Sequence, residues 1–184
     1  MPKDFANQPY NEVRRADRAM TDDAWIVELL TRAAIGNLAT VYESQPFINN
    51  NLFVYDQAAH RIYMHTARLG RTRSNIDAHE AVCFSVSEMG RLLPADTALE
   101  MSVEYNGVVI FGRGHVLTEP EQQVHALRLL LEKYFKHLRY SQDYRPIMPD
   151  ELARTAVYAI EIDSWSGKRK KAPEDFPGAF LYTP

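Results

Sequence analysis

Three β-prone segments follow one another so closely that few arrangements are open to them. Residues 38–42, 47–55 and 62–65 are rich in β-branched and aromatic side chains, and only Glu43-Ser44-Gln45-Pro46 and Asp56-Gln57-Ala58-Ala59-His60 separate them. Parallel neighbours need a crossover of about a dozen residues or more, whereas antiparallel neighbours close with a short turn. The spacing therefore predicts an antiparallel meander rather than alternating βαβ units. Further strands are expected at 81–86, 102–117 and 155–162. Six or seven strands with helices at the periphery predict a mainly β fold, a small barrel that removes exposed sheet edges by closing on itself.

The helices are marked by caps and by periodicity. Thr21 is expected to cap a helix with Asp22 and Asp23 in its first turn, with Trp25, Ile26, Leu29, Leu30 and Ala33 as its buried stripe and Gly36 as its end. Glu119-Pro120-Glu121 opens the longest helix, whose stripe runs from Val124 through Leu127, Leu130 and Tyr134 to Leu138. Residues 1–20, polar and carrying Arg14, Arg15 and Arg18, read as an extended arm ordered against a partner subunit. Residues 88–101 read as an irregular excursion and 164–184 as a C-terminal tail, so the 184 residues make one domain.

Composition narrows the function classes. The chain is 46% hydrophobic and 24% charged, values of a globular protein, and its formal charge of −3 gives no general field for nucleic acid. No apolar run approaches the roughly 20 residues of a membrane span and no signal peptide is read, so the cytoplasm is the expected compartment. Cys83 is the only cysteine, which excludes an intrachain disulfide and a multi-cysteine metal site. Its apolar surroundings predict a buried, inert thiol. The histidines share no ligand spacing with His65, so no metal site is expected.

Residues 61–75 carry the chemistry. A short strand closes at His65-Thr66, and after a brief connection Gly70 precedes a helix reaching Ala78. Arg68, Arg71 and Arg73 with Thr66 and Thr72 stand where free N–H groups and the positive end of a helix dipole point outward, which is phosphate-pocket chemistry. A solvated basic loop is the alternative. Asn49-Asn50-Asn51 is unusual inside a strand: either a bulge exposes the amides or they bond a polar ligand, and at least one should face the core or a pocket.

Several pieces in common order extend over residues 13–171. They are Val13-Arg14-Arg15-Ala16-Asp17-Arg18, Gly36-Asn37-Leu38-Ala39-Thr40, Gln45-Pro46-Phe47-Ile48, Ile62-Tyr63-Met64-His65-Thr66-Ala67 with Gly70-Arg71, Tyr105 with Val108-Val109-Ile110-Phe111-Gly112, and Ser166-Gly167-Lys168. Together they resemble the flavin-binding split-barrel family related to pyridoxamine 5′-phosphate oxidase, in the branch that includes nitroimidazole-resistance proteins. The resemblance implies a split β-barrel and a homodimer with FMN at the subunit interface, the phosphate at the strand-to-helix connection and the ring along the second and third strands. By the same resemblance His65 and Thr66 line the ribityl-phosphate side and Arg71 binds phosphate. Trp165 and Lys168 reach a flavin across the dimer, and Asn49, Asn50 and Asn51 offer amides to the ring edge. The chain departs from the family at Thr72, where lysine is usual and where Arg73 is the candidate replacement, and at Asn50 and Leu52, where proline and a polar residue are common. The implied activity is an FMN-dependent oxidoreductase acting on a small molecule, possible acceptors being a nitroaromatic or dioxygen, with NAD(P)H bound only transiently. A flavin carrier without turnover and a haem-binding split barrel are the rival expectations.

Overall fold

In the computed structural model, which describes residues 5–184, the longest strand is also the hub of the sheet. This strand, β8 (Thr155–Lys170), pairs with β7 (Ser102–Val116) on one side and β5 (Arg61–Ala67) on the other. It is buried on both sides of its first half: Ala156, Tyr158 and Ile160 enter the barrel core, while Val157 and Ala159 enter a second core beneath a helix. Two-sided burial explains the unbroken apolar run Ala156-Val157-Tyr158-Ala159-Ile160.

The remaining elements arrange themselves around this hub. Among the described residues one antiparallel sheet runs in the order β3-β2-β6-β7-β8-β5-β4, with β2 Gly36–Tyr42, β3 Gln45–Asn51, β4 Phe53–Asp56 and β6 Ala81–Leu93. Short β1 (Ala19–Met20) adds to β8 and β9 (Phe180–Leu181) to β6. Helix α1 (Asp23–Arg32) contributes Ile26, Leu29 and Leu30 to the barrel core, α2 (Arg71–Ala78) packs on β2 and β7, and α3 (Pro120–Tyr134) covers β4 and β5. A four-residue α4 (Pro149–Leu152) leads into β8. No helix among the described residues is long and apolar enough to cross a membrane.

The fold is the expected split barrel of antiparallel strands, with several corrections. The ladder does not close: β3 and β4 are its two ends, joined through one residue, Leu52. The expected single strand over 47–55 therefore changes partners midway, its first half on β2 and its second on β5. Asp22, not Thr21, caps α1, accepting from Ala24 N–H at 2.9 Å. The helix ends at Arg32; Gly36 opens β2 because Phe84 Cζ would lie 2.1 Å from any Cβ there. The third helix ends at Tyr134, short of Phe135 and Leu138. The excursion begins only after Leu93, since β6 continues past Gly90 through a register shift between Met89 and Leu92. The last strand does not stop at Ile162 but bulges and continues to Lys170, turning the start of the expected tail into sheet. The arm has contacts within its own chain: Tyr10 lies against Phe111 and β1 joins β8, while the first four residues of the arm lie outside the described residues.

Candidate functional site

The cradle between β5 and α2 starts from one glycine. Gly70, the residue before α2, has φ 155°, a backbone setting that side chains resist, and with no side chain it offers the helix no cap. The first bond inside the helix is Ser74 N–H to Gly70 O at 3.1 Å, so the N–H groups of Arg71, Thr72 and Arg73 have no partner within the helix, and its first turn carries no acid. This is the electropositive terminus expected of an anion site. Arg71 is exposed and makes no hydrogen bond or ion pair with any described residue.

The other two arginines are turned away. Arg68 donates to Ala153 O at 3.0 Å, and Arg73 pairs with Asp77 at 2.6 Å one turn along the helix. Both line a groove of ≈ 460 Å³ on the far side of α2, walled by Leu117, Gln123 and Leu152. Sequence reasoning treated three arginines as one cluster; Arg68 lies in the connection before α2, and Arg71 and Arg73, two residues apart on the helix, point about 200° apart.

Two of the three asparagines face inward. Opposite residues of β2 and β3 share a face, so Asn49 points with Leu38 toward the barrel while Asn50 points out and is exposed. Asn49 Nδ2 donates to Thr72 Oγ1 at 3.0 Å, and Asn51 Nδ2 donates to His65 O at 2.6 Å. The run thus ties edge strand β3 to the first turn of α2 and to the end of β5. The strand ends after Asn51 rather than bulging, because Asn51 Oδ1 accepts from Leu52 N–H where the chain changes partners.

His65 and Thr66 occupy opposite faces of β5. Thr66 Oγ1 shares a 2.8 Å bond with Tyr158 OH beside the barrel core. His65 Nδ1 is buried without a hydrogen-bond partner, and burial lowers the imidazole below its ordinary pKa, so the ring is neutral at pH 7. A neutral imidazole with an unengaged nitrogen can bond a ligand or bind a metal-centred group.

Trp165 and Lys168 lie elsewhere in the chain. Thr66 is level with Ala156, and from there to Trp165 the strand runs roughly 30 Å at about 3.3 Å per residue. Trp165 meets Tyr55 and His60 edge-to-face, and its Nε1–H donates to Asp23 Oδ1 at 2.9 Å. Lys168 Nζ sits 5.6 Å from the centre of the Tyr105 ring. Within one protomer the structure ties Asn49 to Thr72, next to Arg71, and Asn51 to the His65 carbonyl, with the His65 and Thr66 side chains on opposite faces of β5, and it places Trp165 and Lys168 further along β8.

Sequence reasoning missed Thr40 and Asn75. Asn75 is 1% exposed and donates from Nδ2 to Thr40 Oγ1 at 2.9 Å, leaving Oδ1 without a partner. The signal was present: Thr72, Asn75 and Ile76 follow the three-and-four spacing of a buried helix stripe. Cys83 is half-buried on the outside of β6 rather than fully enclosed, and burial raises its thiol pKa. Among the described residues no group of three or more His, Cys, Asp or Glu side chains converges in a way that could hold a metal ion.

Comparison with known proteins adds independent findings. A family model described as pyridoxamine 5′-phosphate oxidase matches residues 22–169, well over half of the chain. No curated protein sequence matches significantly. Among solved structures, the flavocytochrome Anf3 from Azotobacter vinelandii aligns with a TM-score of 0.78 at 21% identity, over 96% of this chain and 86% of that one. The FAD and haem binding protein from Mycobacterium smegmatis aligns at 0.76 and 20% identity, over 86% and 76%. A candidate 5-nitroimidazole antibiotic resistance protein from Bacteroides thetaiotaomicron aligns at 0.68 and 16% identity, over 82% and 86%. At these identities the structures speak for the fold.

Proposed function

The chain belongs to the pyridoxamine 5′-phosphate oxidase family, and on that premise we propose that it is an FMN-dependent oxidoreductase acting on a small molecule, with FMN shared between two copies of the chain. The observation that carries this reading is Arg71, a guanidinium without an internal partner at the uncapped start of α2. The residues present fit a phosphorylated cofactor: unused N–H groups and a free cation stand together at the start of α2, with the Thr72 hydroxyl, held by Asn49, in the same turn. Arg71 and the α2 N–H groups would hold the phosphate, with Thr66 along the ribityl side; His65, whose ring takes the opposite face of β5, would contribute through its carbonyl, which Asn51 holds. Asn49 and Asn51 would hold the cradle in shape while Asn50 reaches outward. Arg73, held by Asp77, would supply positive field rather than a direct contact at the position where the family carries lysine. Trp165 and Lys168, remote in their own protomer, would serve the cofactor from the partner subunit.

Bound flavin supplies hydride and electron transfer; the protein's part is binding, orientation and exclusion of water. The nitroimidazole-resistance protein among the similar structures supports a nitroaromatic as acceptor; dioxygen as an alternative acceptor and a transiently bound nicotinamide as donor belong to the proposal. The test is an FMN titration followed by oxidation of NAD(P)H with and without a nitroaromatic. Arg71→Ala is expected to weaken FMN binding by about 1.5 to 3 kcal/mol, the value of a charged hydrogen bond. Unchanged affinity removes Arg71 from the site, and bound FMN without turnover makes the protein a carrier.

A second reading, haem with His65 as axial ligand, is favoured by the neutral imidazole whose Nδ1 has no partner. Two of the similar structures are of haem-containing proteins. A Soret band on haem addition, lost in His65→Ala, supports it; a flavin spectrum alone removes it.

A further inference from the structure

We propose that Lys133, one residue before the end of α3, is a modification site: its amine takes an acyl group from an acyl phosphate or a thioester, and the fold is suited to the amide that results. The site lies outside the cradle, and nothing about it depends on which cofactor the chain binds.

The surroundings of this amine are those of an amide rather than of an ammonium ion. Nζ donates at 3.1 Å to Leu30 O, one of the last carbonyls of α1, which the end of the helix leaves open, and it lies 3.7 Å from the centre of the Phe53 ring. Phe53 is fully buried and meets Phe84 edge-on in the barrel core, so the amine sits against that core beside the Leu52 joint. Among the described residues no carboxylate pairs with Lys133: Glu132 turns to Arg128, and Glu28 of α1 turns to Arg32. An ammonium ion carries three N–H donors and here meets one acceptor. The ring face attracts a cation, but it does not replace a hydration shell. A secondary amide has one N–H, which Leu30 O accepts, and no charge to solvate.

The same surroundings ready the amine to react. From α1 it meets the Leu30 carbonyl and from β4 the Phe53 ring; on its own side it meets the Tyr134 ring, 5.3 Å away, and the charge of Lys136. Burial, and after it the Lys136 charge, brings Lys133 from the ordinary 10.5 down to about 8. At that pH about half of it is the neutral nucleophile, against less than about 1% of an ordinary lysine. Lys133 is half-buried, and its flexible four-carbon stem swings the amine toward solvent. The neutral nitrogen bonds to the acyl carbon, the C–O bond to phosphate or the C–S bond of the thioester breaks, and the surplus proton on nitrogen leaves with the phosphate or the thiol.

The experiment is acetylation of the full chain at pH about 8 by acetyl phosphate and, in a parallel arm, by acetyl-coenzyme A, with occupancy at each lysine followed by peptide mass spectrometry. Lys133 is expected to react about tenfold faster than Lys136, Lys168, Lys170 and Lys171, and to lose that lead in guanidinium, where burial is gone. A lead with one donor alone identifies the source of the acyl group. Stability is the second readout. Between about 8 and 10.5 the unfolded chain holds a proton on Lys133 that the folded chain has released, so the parent is expected to gain stability as pH rises through that window. Lys133→Gln, uncharged and carrying an amide N–H, is expected to have a higher denaturant midpoint than the parent at neutral pH and to lack that rise, and Lys133→Arg, which keeps the charge, to be the less stable of the two variants. A Lys133 rate no greater than that of Lys136 with either donor, or a midpoint lowered by acetylation, overturns the proposal.

Discussion

Asn49 on the edge strand holds Thr72 in the first turn of α2 through a 3.0 Å bond from Nδ2 to Oγ1. That bond fixes where the helix begins, and so where Arg71 and the unused N–H groups point. Asn49→Ala is expected to cost about 1 kcal/mol of stability, the net value of one hydrogen bond, read from the denaturant midpoint. It is also expected to lower FMN affinity without removing any group that touches phosphate. Full affinity in a variant of reduced stability would separate the strand from the cradle.

One turn further along α2, Asn75 and Thr40 form a buried polar pair, 1% and 4% exposed. Thr40→Val keeps the shape but strands the Asn75 amide, whose Oδ1 already lacks a partner. The expected loss is about 1 to 3 kcal/mol, and the double variant Thr40→Val/Asn75→Leu should recover part of it, because no polar group is then left orphaned. A double-mutant cycle measures the difference.

The legible parts of the sequence and the hidden ones divide along physical lines. Gly70 followed by Arg71 announced the cradle because a backbone setting and a charge are local properties. The switch at Leu52 was invisible, since alternation along 47–55 reports which face a residue takes but not which neighbouring strand pairs with it. Ser164 to Lys170 read as tail because serine, glycine and lysine are poor strand formers; β7 and β1 supply the pairing that overrides this. Glu88 to Leu93 read as loop for want of a partner residue, Glu104, that binds Arg91 across the hairpin. The placement of Trp165 relative to the cradle depends on how far β8 extends, which no motif encodes.

His65 makes stability depend on pH. Its folded pKa lies below the ordinary 6.5 because burial disfavours the charged ring, so the unfolded chain binds more protons in the window beneath 6.5. Stability is expected to fall as pH drops through that window and to level off once the folded ring protonates too. In His65→Gln the slope there should flatten, by denaturant titration at a series of pH values; an unchanged slope assigns it to other groups.

Glu104 acts at lower pH. Arg91 donates to both of its carboxylate oxygens, at 2.9 and 2.8 Å, and with the Ala172 N–H holds its pKa down at about 2. Its folded value lies below the ordinary 4.5, so its contribution is whole above 4.5 and is lost as pH falls toward 2. Because Arg91 also holds the carbonyls of Pro173 and Glu174, protonation should release the segment that leads to β9. The protection of the Ala172 amide from hydrogen exchange, taken relative to its intrinsic rate at each pH, is expected to fall through that range in the parent and to be low already at neutral pH in Glu104→Gln.

The one-residue joint at Leu52 leaves the barrel no slack. On one side of it Asn49 and Asn51 grip α2 and β5; on the other, Phe53 is clasped by Tyr134, whose hydroxyl accepts from Phe53 N–H and shares its proton between Ala34 O and Phe53 O. Prising the two ends of the sheet apart must therefore pull on the anion cradle and on the last turn of α3 together. Breathing at that seam is therefore expected to loosen the start of α2 and the last turn of α3 as one, and the Phe53 amide is the proton that would report it.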